Sequence, residues 1–360
     1  MTVFAPPDTT IDAARLIVAH HLGTTPVVSA SPDHAAAMRP GGAWVLNLPT
    51  TTPAVWGTGD DVLWASGEAF MICGAQGAGK TTIAHQLIRA RLGLDDTVLG
   101  FPVGPGDARV LYLAMDRPAQ AARAMRRIMT EPDRAALDER LRVWPGPPPA
   151  DIAKHPGLLA ELADAADADT LVIDSLKDAA IGLSDDEVGA SYNRARQTVL
   201  AAGVEVLELH HQRKAGIGGG SPTSVSDVYG SVWLTSGAGS VLMLTAEPGD
   251  SIVEARHIKQ PAADVGPLRI IHDHASGRSR LDAPVDLVDL AGRVGDGITA
   301  TDAACRLFET PTPTRNQAEK ARYRLDRLTE TGQLRRIDGA RGRGNATRWA
   351  PTVSAFGGAA

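Results

Sequence analysis

A glycine-rich segment near residue 75 constrains the fold of this 360-residue chain more than any other feature. The segment fits the pattern G-x-x-x-x-G-K-[ST] at every position and reads Gly74-Ala75-Gln76-Gly77-Ala78-Gly79-Lys80-Thr81. An apolar run over residues 69–73 precedes it, and an amphipathic stretch beginning at Thr82 follows. This order predicts a strand, a loop and a helix, with the glycines turning successive backbone N–H groups inward around an anion. We therefore expect a phosphate-binding loop.

Two side chains at the end of this loop carry the chemistry that a nucleotide requires. The ammonium group of Lys80 can reach the β- and γ-phosphates, and the hydroxyl of Thr81 can ligate Mg²⁺. A chance match of a glycine-rich turn is the alternative, and the flanking strand and helix argue against it. We predict that the loop binds ATP with Mg²⁺. The cofactor-binding residues are then Gly74, Ala75, Gln76, Gly77, Ala78, Gly79, Lys80, Thr81 and Thr82.

Composition and charge narrow the class of protein. Hydrophobic residues make up 43% of the chain and charged residues 22%, as in soluble globular proteins. No apolar run approaches the ~20 residues that span a bilayer, so we expect a cytoplasmic protein with no membrane partner. The two cysteines, Cys73 and Cys305, predict neither a disulfide nor a metal site other than Mg²⁺. The net charge is +5 over residues 291–360 and −11 elsewhere, which favours a polyanionic partner or simply a solvated basic surface.

Apolar strand candidates alternate with helical stretches through the middle of the chain. The strands are predicted at 69–73, 110–113, 141–144, 171–173, 204–209, 241–244 and 252–258, and the helices at 81–92, 118–129, 156–166 and 188–202. The first five strands are nearly continuous apolar runs, typical of strands that are covered on both faces. We predict an α/β fold, a doubly wound and mostly parallel sheet with helices on both faces, over residues 61–285.

The remaining segments are predicted as smaller units. Residues 1–60 read as a helix over 11–21 and an extended segment packed on the core, with one strand over 43–48. Residues 286–296 read as a linker and residues 353–360 as a disordered tail. Between them, residues 297–352 show two helices and a β-hairpin, the pattern of a winged-helix domain.

Polar residues follow three of the predicted strands. Asp174 closes the strand at 171–173, where a P-loop protein needs a carboxylate for the Mg²⁺ water shell. Ser175 stands directly after it, so the acid that polarises the attacking water must come from elsewhere. Asp116, at the end of the strand at 110–113, is the candidate. A polar cluster, His210, His211 and Gln212, ends the strand at 204–209. A neutral imidazole or an amide there can bond the γ-phosphate, although a pair of buried, hydrogen-bonded histidines is the alternative.

These motifs together resemble the RecA-like ATPase superfamily, in particular the branch of the plasmid replicative helicase RepA with its actinobacterial and phage relatives. The stretches that carry the resemblance lie within residues 56–273 and read GAQGAGKTT, VLYLAMDRP, TLVIDSL, VLELHHQRKAG, DVYGSVWLTSGAGSVLML and HIKQPAADVGPL. The resemblance implies that Asp116, a position usually occupied by Glu in the family, is the water-activating base. It also implies that His211 senses the γ-phosphate.

The same resemblance implies that subunits complete one another's sites in a homo-oligomer, with a hexamer as one form. Relatives often use a Lys-x-Arg at the end of a late strand, and this chain has Lys259 followed by Gln260 and Pro261. Either Lys259 serves alone, or the trans-acting cation comes from Arg256 or elsewhere. In a regular strand, alternation puts Arg256 on the opposite face from Lys259.

Candidate DNA contacts fall in two places. The loop over residues 213–229 carries Arg213, Lys214 and Tyr229, which can contact the phosphates and bases of single-stranded DNA. The alternative is a mobile surface loop that has no role in DNA binding. In the winged-helix candidate, Lys320, Arg324 and Arg327 share one face at i, i+4 and i+7, which we expect to be exposed. The wing adds Arg341 and Arg343. This domain can bind duplex DNA or serve as a protein–protein module.

The sequence thus favours a RecA-like, Mg²⁺-dependent ATPase acting on DNA, a replicative helicase or a helicase-loading ATPase. One alternative is a RecA-like ATPase that regulates or remodels a protein–DNA complex without unwinding. Another is a DNA-binding regulator that uses ATP as a conformational ligand.

Overall fold

The computed structural model describes residues 38–213, 222–246, 252–282, 285–308, 310–338 and 346–352. The chain divides into two compact units, residues 1–50 and residues 51–360. The predicted helix over 11–21, Lys214, Arg341, Arg343 and the predicted disordered tail lie outside the described residues. Within the described ranges, no helix is long and apolar enough to cross a membrane.

The described part of the first unit contradicts one prediction. Residues 41–46 form a helix (α1, Gly41–Leu46), so the strand predicted over 43–48 is wrong. All of its side chains are exposed, including Trp44 at 62% and Leu46 at 81%. A strand satisfies its backbone through a partner strand, whereas here the amide of Trp44 bonds the carbonyl of Pro40 within the same turn. Apolar composition alone could not distinguish the two.

The strands and helices of the second unit follow in chain order. The strands are β1 Ala54–Thr58, β2 Asp61–Ala65, β3 Phe70–Gly74, β4 Thr97–Val98, β5 Phe101–Pro102, β6 Arg109–Ala114, β7 Leu141–Pro145, β8 Ala168–Asp174, β9 Glu205–His211, β10 Ser240–Thr245, β11 Ile252–Lys259, β12 Leu268–Asp273, β13 Arg278–Leu281, β14 Ile298–Thr299, β15 Leu334–Ile337 and β16 Arg348–Pro351. The helices are α2 Lys80–Arg91, α3 Pro118–Met125, α4 Arg134–Arg140, α5 Leu158–Ala166, α6 Leu176–Ala179, α7 Asp186–Ala201, α8 Val232–Ser236, α9 Leu287–Gly292, α10 Ala300–Leu307 and α11 Arg315–Glu330.

A nine-stranded sheet organises this unit, in the order β13-β12-β11-β10-β3-β9-β8-β6-β7. The six strands from β10 to β7 are parallel, and β11, β12 and β13 extend the sheet antiparallel at one edge. The predicted mostly parallel α/β sheet is therefore confirmed. The hairpin of β1 and β2, which precedes β3, was not predicted.

Helices cover both faces of the sheet. Successive side chains of a strand point to opposite faces and so pack against both layers of helices. In β3, Phe70 and Ile72 join the apolar cluster that contains α2, while Met71 and Cys73 join the cluster that contains α5 and α7. All five residues of β3 are buried. The phosphate-binding loop thus begins at the end of a strand that is buried along its whole length.

An irregularity in β11 changes the expected placement of its two cations. Lys259 pairs with Val241 and Arg256 with Met243, with a bulge at His257–Lys259. Val241 and Met243 lie two residues apart in β10 and point to the same side, so Arg256 and Lys259 share a face of the sheet. Opposite faces were expected for a regular strand, and β11 is not regular, because one extra residue reverses the alternation.

A third apolar cluster lies near the C-terminus. It is built from α9, α10, α11 and a three-stranded antiparallel sheet in the order β14-β16-β15, around the buried Trp349 and Leu325. Helix α9 falls within residues 286–296, which were interpreted as a linker, and buries Leu287 and Ala291 in this cluster.

Candidate nucleotide-binding site

The phosphate-binding loop connects β3 directly to α2. Gly77 and Gly79 adopt φ angles of 83° and 84°, in the left-handed region that favours glycine. A Cβ at Gly79 would also lie 2.0 Å from Nε2 of His272, on β12. Position 79 therefore needs glycine both for its backbone conformation and for the close approach of a late strand.

Lys80 opens α2 and is only 8% exposed. Its Nζ donates hydrogen bonds to the carbonyl oxygens of Gly74 (2.9 Å) and Ala75 (2.7 Å), at the start of the loop. Burial lowers the pKa of Lys80 to about 8, although the charge of Asp174 acts in the opposite direction. The ammonium group therefore lies inside the loop that is proposed to hold the phosphates.

Asp174 lies at the end of β8, opposite Ala114 of β6 in the register of the sheet. The hydroxyl of Thr81 donates a hydrogen bond to its Oδ2 over 3.3 Å. Burial raises the pKa of Asp174, and hydrogen bonds from Tyr112 and Thr81 partly offset that rise. A hydroxyl and a carboxylate that already touch form an oxygen donor pair of the kind that Mg²⁺ prefers.

Tyr112 and His85 belong to this group, and sequence reasoning missed both. The hydroxyl of Tyr112 donates to Oδ2 of Asp174 over 2.9 Å, and Nε2 of His85 lies 3.2 Å from the same hydroxyl. Burial lowers the pKa of His85 to about 3, so its ring is neutral. The available signal was a polar side chain inside each apolar run, which does not reveal that the two meet.

Asp116 follows β6 and borders the same cavity as Lys80 and Asp174. Its carboxylate lies 3.4 Å from Nζ of Lys177 and 3.3 Å from Nε of Arg117. Burial would raise the pKa of Asp116, but the charge and hydrogen bonds of Lys177, helped by Arg117, outweigh it and lower the pKa. Asp116 is therefore ionised at neutral pH, as a group that orients or deprotonates water must be.

His211 lies at the end of β9, next to Gly74 in the register, and also lines the cavity. Burial, followed by the charges of Lys80 and Lys177, lowers its pKa, so the imidazole is neutral at pH 7. Its neighbour His210 is buried and bonds the carbonyl oxygen of Tyr229 through Nε2 over 2.7 Å. The two histidines are therefore in different environments, one structural and one facing the cavity.

The cavity measures about 470 Å³, and part of its wall was not predicted. Helix α3 and the residues around it supply most of this wall, and β12 with the turn after it supplies the rest. The unpredicted lining residues of these two parts are Arg117, Gln120, Ala121, Arg123, Ala124, Arg127, His272 and His274, and Tyr112 also lines the cavity. Nδ1 of His272 lies 2.6 Å from the hydroxyl of Ser279, and burial lowers the pKa of this histidine. No residue spacing in the sequence links segments about 150 positions apart.

Lys259 has a different environment. Its Nζ donates to the carbonyl oxygens of Thr235 (2.9 Å) and Ser236 (3.0 Å), and also to that of Ala238. The ammonium group thus caps the C-terminus of α8 within its own chain and does not line the cavity described above. Arg256 pairs with Glu254 over 2.7 Å.

The candidate DNA contacts divide by exposure. Arg213 is exposed and directly precedes the undescribed segment 214–221. Tyr229 is 42% exposed, and its amide donates a hydrogen bond to the carbonyl oxygen of His211. In α11, Lys320, Arg324 and Arg327 share one face as predicted, but that face is only partly exposed. Lys320 pairs with Asp264. Arg327 pairs with both carboxylate oxygens of Asp61, at 2.9 and 3.2 Å.

Arg324 lies between these two ion pairs. Burial lowers its pKa, while the charges of Asp264 and Asp61 act in the opposite direction. The basic face is therefore half-buried and paired with carboxylates, where a freely exposed face was expected. The acidic partners come from β2 and from the loop after β11, so no pattern within α11 itself could have revealed them. Whether the face binds DNA stays a prediction.

Residues 42–216 match the family model of the AAA domain. The match spans the loop, Asp116, Asp174 and His211, and it supports a P-loop ATPase of the AAA type. This is similarity to a family of nucleotide-binding ATPases. No curated protein matches the chain.

Proposed function

We propose that this protein is a Mg²⁺-dependent ATPase. The observation that carries the proposal is the convergence of Lys80, Thr81, Asp116, Asp174 and His211 on one cavity, from four separate segments of the chain. Together these groups suit bound Mg²⁺–ATP. Lys80 and the loop amides suit the phosphates, and the oxygens of Thr81 and Asp174 suit the metal. The ionised Asp116 and the neutral His211 suit the attacking water and the γ-phosphate.

Each side chain has a distinct role in this proposal. The loop amides and Lys80 bind the β- and γ-phosphates, while Thr81 and Asp174 hold the metal. Bound Mg²⁺ would neutralise charge that develops on the transferred phosphoryl group. Asp116 orients the attacking water and accepts its proton, and His211 donates a hydrogen bond to the γ-phosphate.

Release of phosphate from ATP, measured with Mg²⁺ and with EDTA, tests the proposal directly. We expect turnover with Mg²⁺ that disappears in EDTA and in Lys80→Ala protein. Tight ATP binding without turnover above background would favour the alternative of a DNA-binding regulator that uses ATP as a conformational ligand.

We further propose that the ATPase is RecA-like, of the RepA branch, and acts on DNA as a helicase or helicase loader. The sequence stretches quoted above support this, as do the exposed Arg213 and Tyr229 beside the cavity-lining His211. The arrangement of α10, α11, β15 and β16 is compatible with a winged helix. Stimulation of turnover by single-stranded DNA tests the DNA partner. Strand displacement on a forked substrate separates unwinding from remodelling without unwinding.

A homo-oligomer, with a hexamer as one form, is part of this proposal. Lys259 remains the candidate trans-acting cation, although a trans role requires it to leave three carbonyl oxygens of its own chain. In mixtures, Lys259→Ala subunits should inhibit wild-type subunits if the cation acts across a boundary. If Lys259 is only a helix cap, mixing should leave wild-type turnover unchanged.

A further inference from the structure

The phenol of Tyr112 is a buried polar group with no direct part in the proposed chemistry. The side chain is 1% exposed and lies in the apolar layer under α2, between Val110 and Ala114 of the same strand. Phenylalanine would fill the same space, and a buried hydroxyl is costly unless it is hydrogen-bonded. The hydroxyl therefore needs an explanation, and its two partners supply one.

Helix α2 reaches the Asp174 carboxylate by two routes. Thr81 bonds Oδ2 directly over 3.3 Å. His85 follows Thr81 by four residues, so both side chains lie on one face of the helix. His85 reaches the same oxygen through Tyr112, over 3.2 and 2.9 Å. Since the Tyr112 proton goes to Asp174, the phenol oxygen accepts the N–H of His85.

We propose that Tyr112, held by His85, is a positioning residue that fixes the Asp174 carboxylate for the metal. Among the described residues, the hydrogen bonds to this carboxylate both end on Oδ2, which sets its rotation about the Cβ–Cγ bond. Once the tyrosine hydroxyl is removed, Thr81 alone holds that oxygen. The inference rests on the proposed Mg²⁺–ATP site and goes beyond it by adding two residues, Tyr112 and His85, to which the proposed function gives no role.

Tyr112→Phe tests the inference, because it removes only the hydroxyl. The measurement is the affinity of a fluorescent ATP analogue, in EDTA and across a Mg²⁺ titration. We expect unchanged affinity in EDTA, where Lys80 and the loop amides act alone. The Mg²⁺ concentration that gives half of the metal-dependent gain should rise about tenfold, as for other groups that orient a metal ligand.

Tyr192→Phe is the matched control. The Tyr192 hydroxyl is equally buried and bonds the carboxylate of Glu208 over 2.8 Å, on the opposite face of the sheet. Its loss should lower thermal stability without moving the Mg²⁺ midpoint. If Tyr112→Phe protein does not fold, His85 gives a second test. His85→Leu should raise the midpoint severalfold, and His85→Gln, which retains an N–H donor, should lie close to wild type.

Two outcomes would overturn the inference while leaving the proposed function standing. One is a wild-type Mg²⁺ midpoint in folded Tyr112→Phe protein or, where that variant does not fold, in His85→Leu protein. The other is an equal loss of affinity with and without Mg²⁺, which would mean that the loop itself is distorted. If the wild-type protein binds no nucleotide in either condition, the proposed function fails, and the inference fails with it.

Discussion

At the scale of single residues, substitutions of Lys80 and Asp116 should affect different steps, Lys80 the binding of ATP and Asp116 its hydrolysis. Lys80→Ala removes a buried cation from the loop, and hydrogen bonds to charged groups contribute about 1.5–3 kcal/mol. We expect ATP affinity to fall about 10–100-fold, measured by calorimetry. The exposed Lys154 provides the control, since Lys154→Ala should bind as wild type does. Near wild-type affinity in Lys80→Ala protein would contradict the site assignment.

Asp116→Asn should instead lower the rate of ATP hydrolysis and leave ATP affinity nearly unchanged. The amide retains the size of the side chain but cannot accept a proton, and general bases typically contribute about 10²–10⁴-fold in rate. We expect turnover to fall at least 100-fold, on that basis, with ATP affinity within about twofold of wild type. Asp138→Asn removes an exposed carboxylate and is the control for the loss of charge alone; its turnover should match that of the wild type. Normal turnover in Asp116→Asn protein would mean that another group is the base.

At the scale of secondary-structure elements, an ion pair connects the end of α2 to the start of α4. Arg89 donates to the carboxylate of Asp133 over 2.6 Å, and the amide of Thr130 bonds the same carboxylate. Both side chains of the ion pair are largely buried. The hydrogen bond from Arg89 is the main reason that the pKa of Asp133 falls from 3.8 to about 2.

This depressed pKa predicts a pH-dependent contribution to stability. The unfolded chain binds a proton at Asp133 more readily than the native state does, so the contribution is complete above pH 3.8. It is lost as the pH falls through about 2. Asp133→Asn should lower the free energy of unfolding by about 1–2 kcal/mol at pH 7. Urea denaturation at pH 7 and at pH 2.5 measures the effect.

The difference between Asp133→Asn and wild type should shrink at the lower pH. Glu131→Gln is the control, because Glu131 pairs with Arg134 on the open surface and should have little effect. An Asp133→Asn deficit of the same size at both pH values would contradict the linkage argument.

At the scale of the whole molecule, two carboxylates hold the basic face of α11. Replacing Asp61 and Asp264 by asparagine removes the partners of Lys320 and Arg327. We expect duplex DNA to bind more tightly as this face is released. The salt dependence of binding should also become steeper, by up to about three phosphate contacts. Fluorescence anisotropy across a salt series measures both.

The matched control removes two exposed carboxylates that do not contact α11. Glu131→Gln with Asp138→Asn makes the same change in net charge and should leave the salt dependence unaltered. If the Asp61 and Asp264 double variant binds duplex DNA as this control does, the basic face serves only to dock α11 on the rest of the unit.

Local signals were sufficient where the chemistry is contiguous. The phosphate-binding loop is a run of eight residues between a strand and a helix, so its sequence alone predicted its conformation and its role. Continuous apolar runs likewise predicted the parallel strands, because a strand covered on both faces has few polar positions. The polar residues at the ends of these strands meet at one edge of the sheet, so Asp116, Asp174 and His211 could be found before the structure.

Tertiary structure decided what depends on the register and packing of distant segments. Tyr112 and Asp174 are 62 positions apart, and Arg327 lies 266 positions from Asp61. The spacing of apolar residues cannot predict such pairs. It shows which face of a helix or strand is buried, but not which distant segment packs against that face. The bulge in β11 and the helix at residues 41–46 have a similar cause. Each depends on whether a partner strand is present and on the register of its pairing. The sequence of one strand does not contain that information.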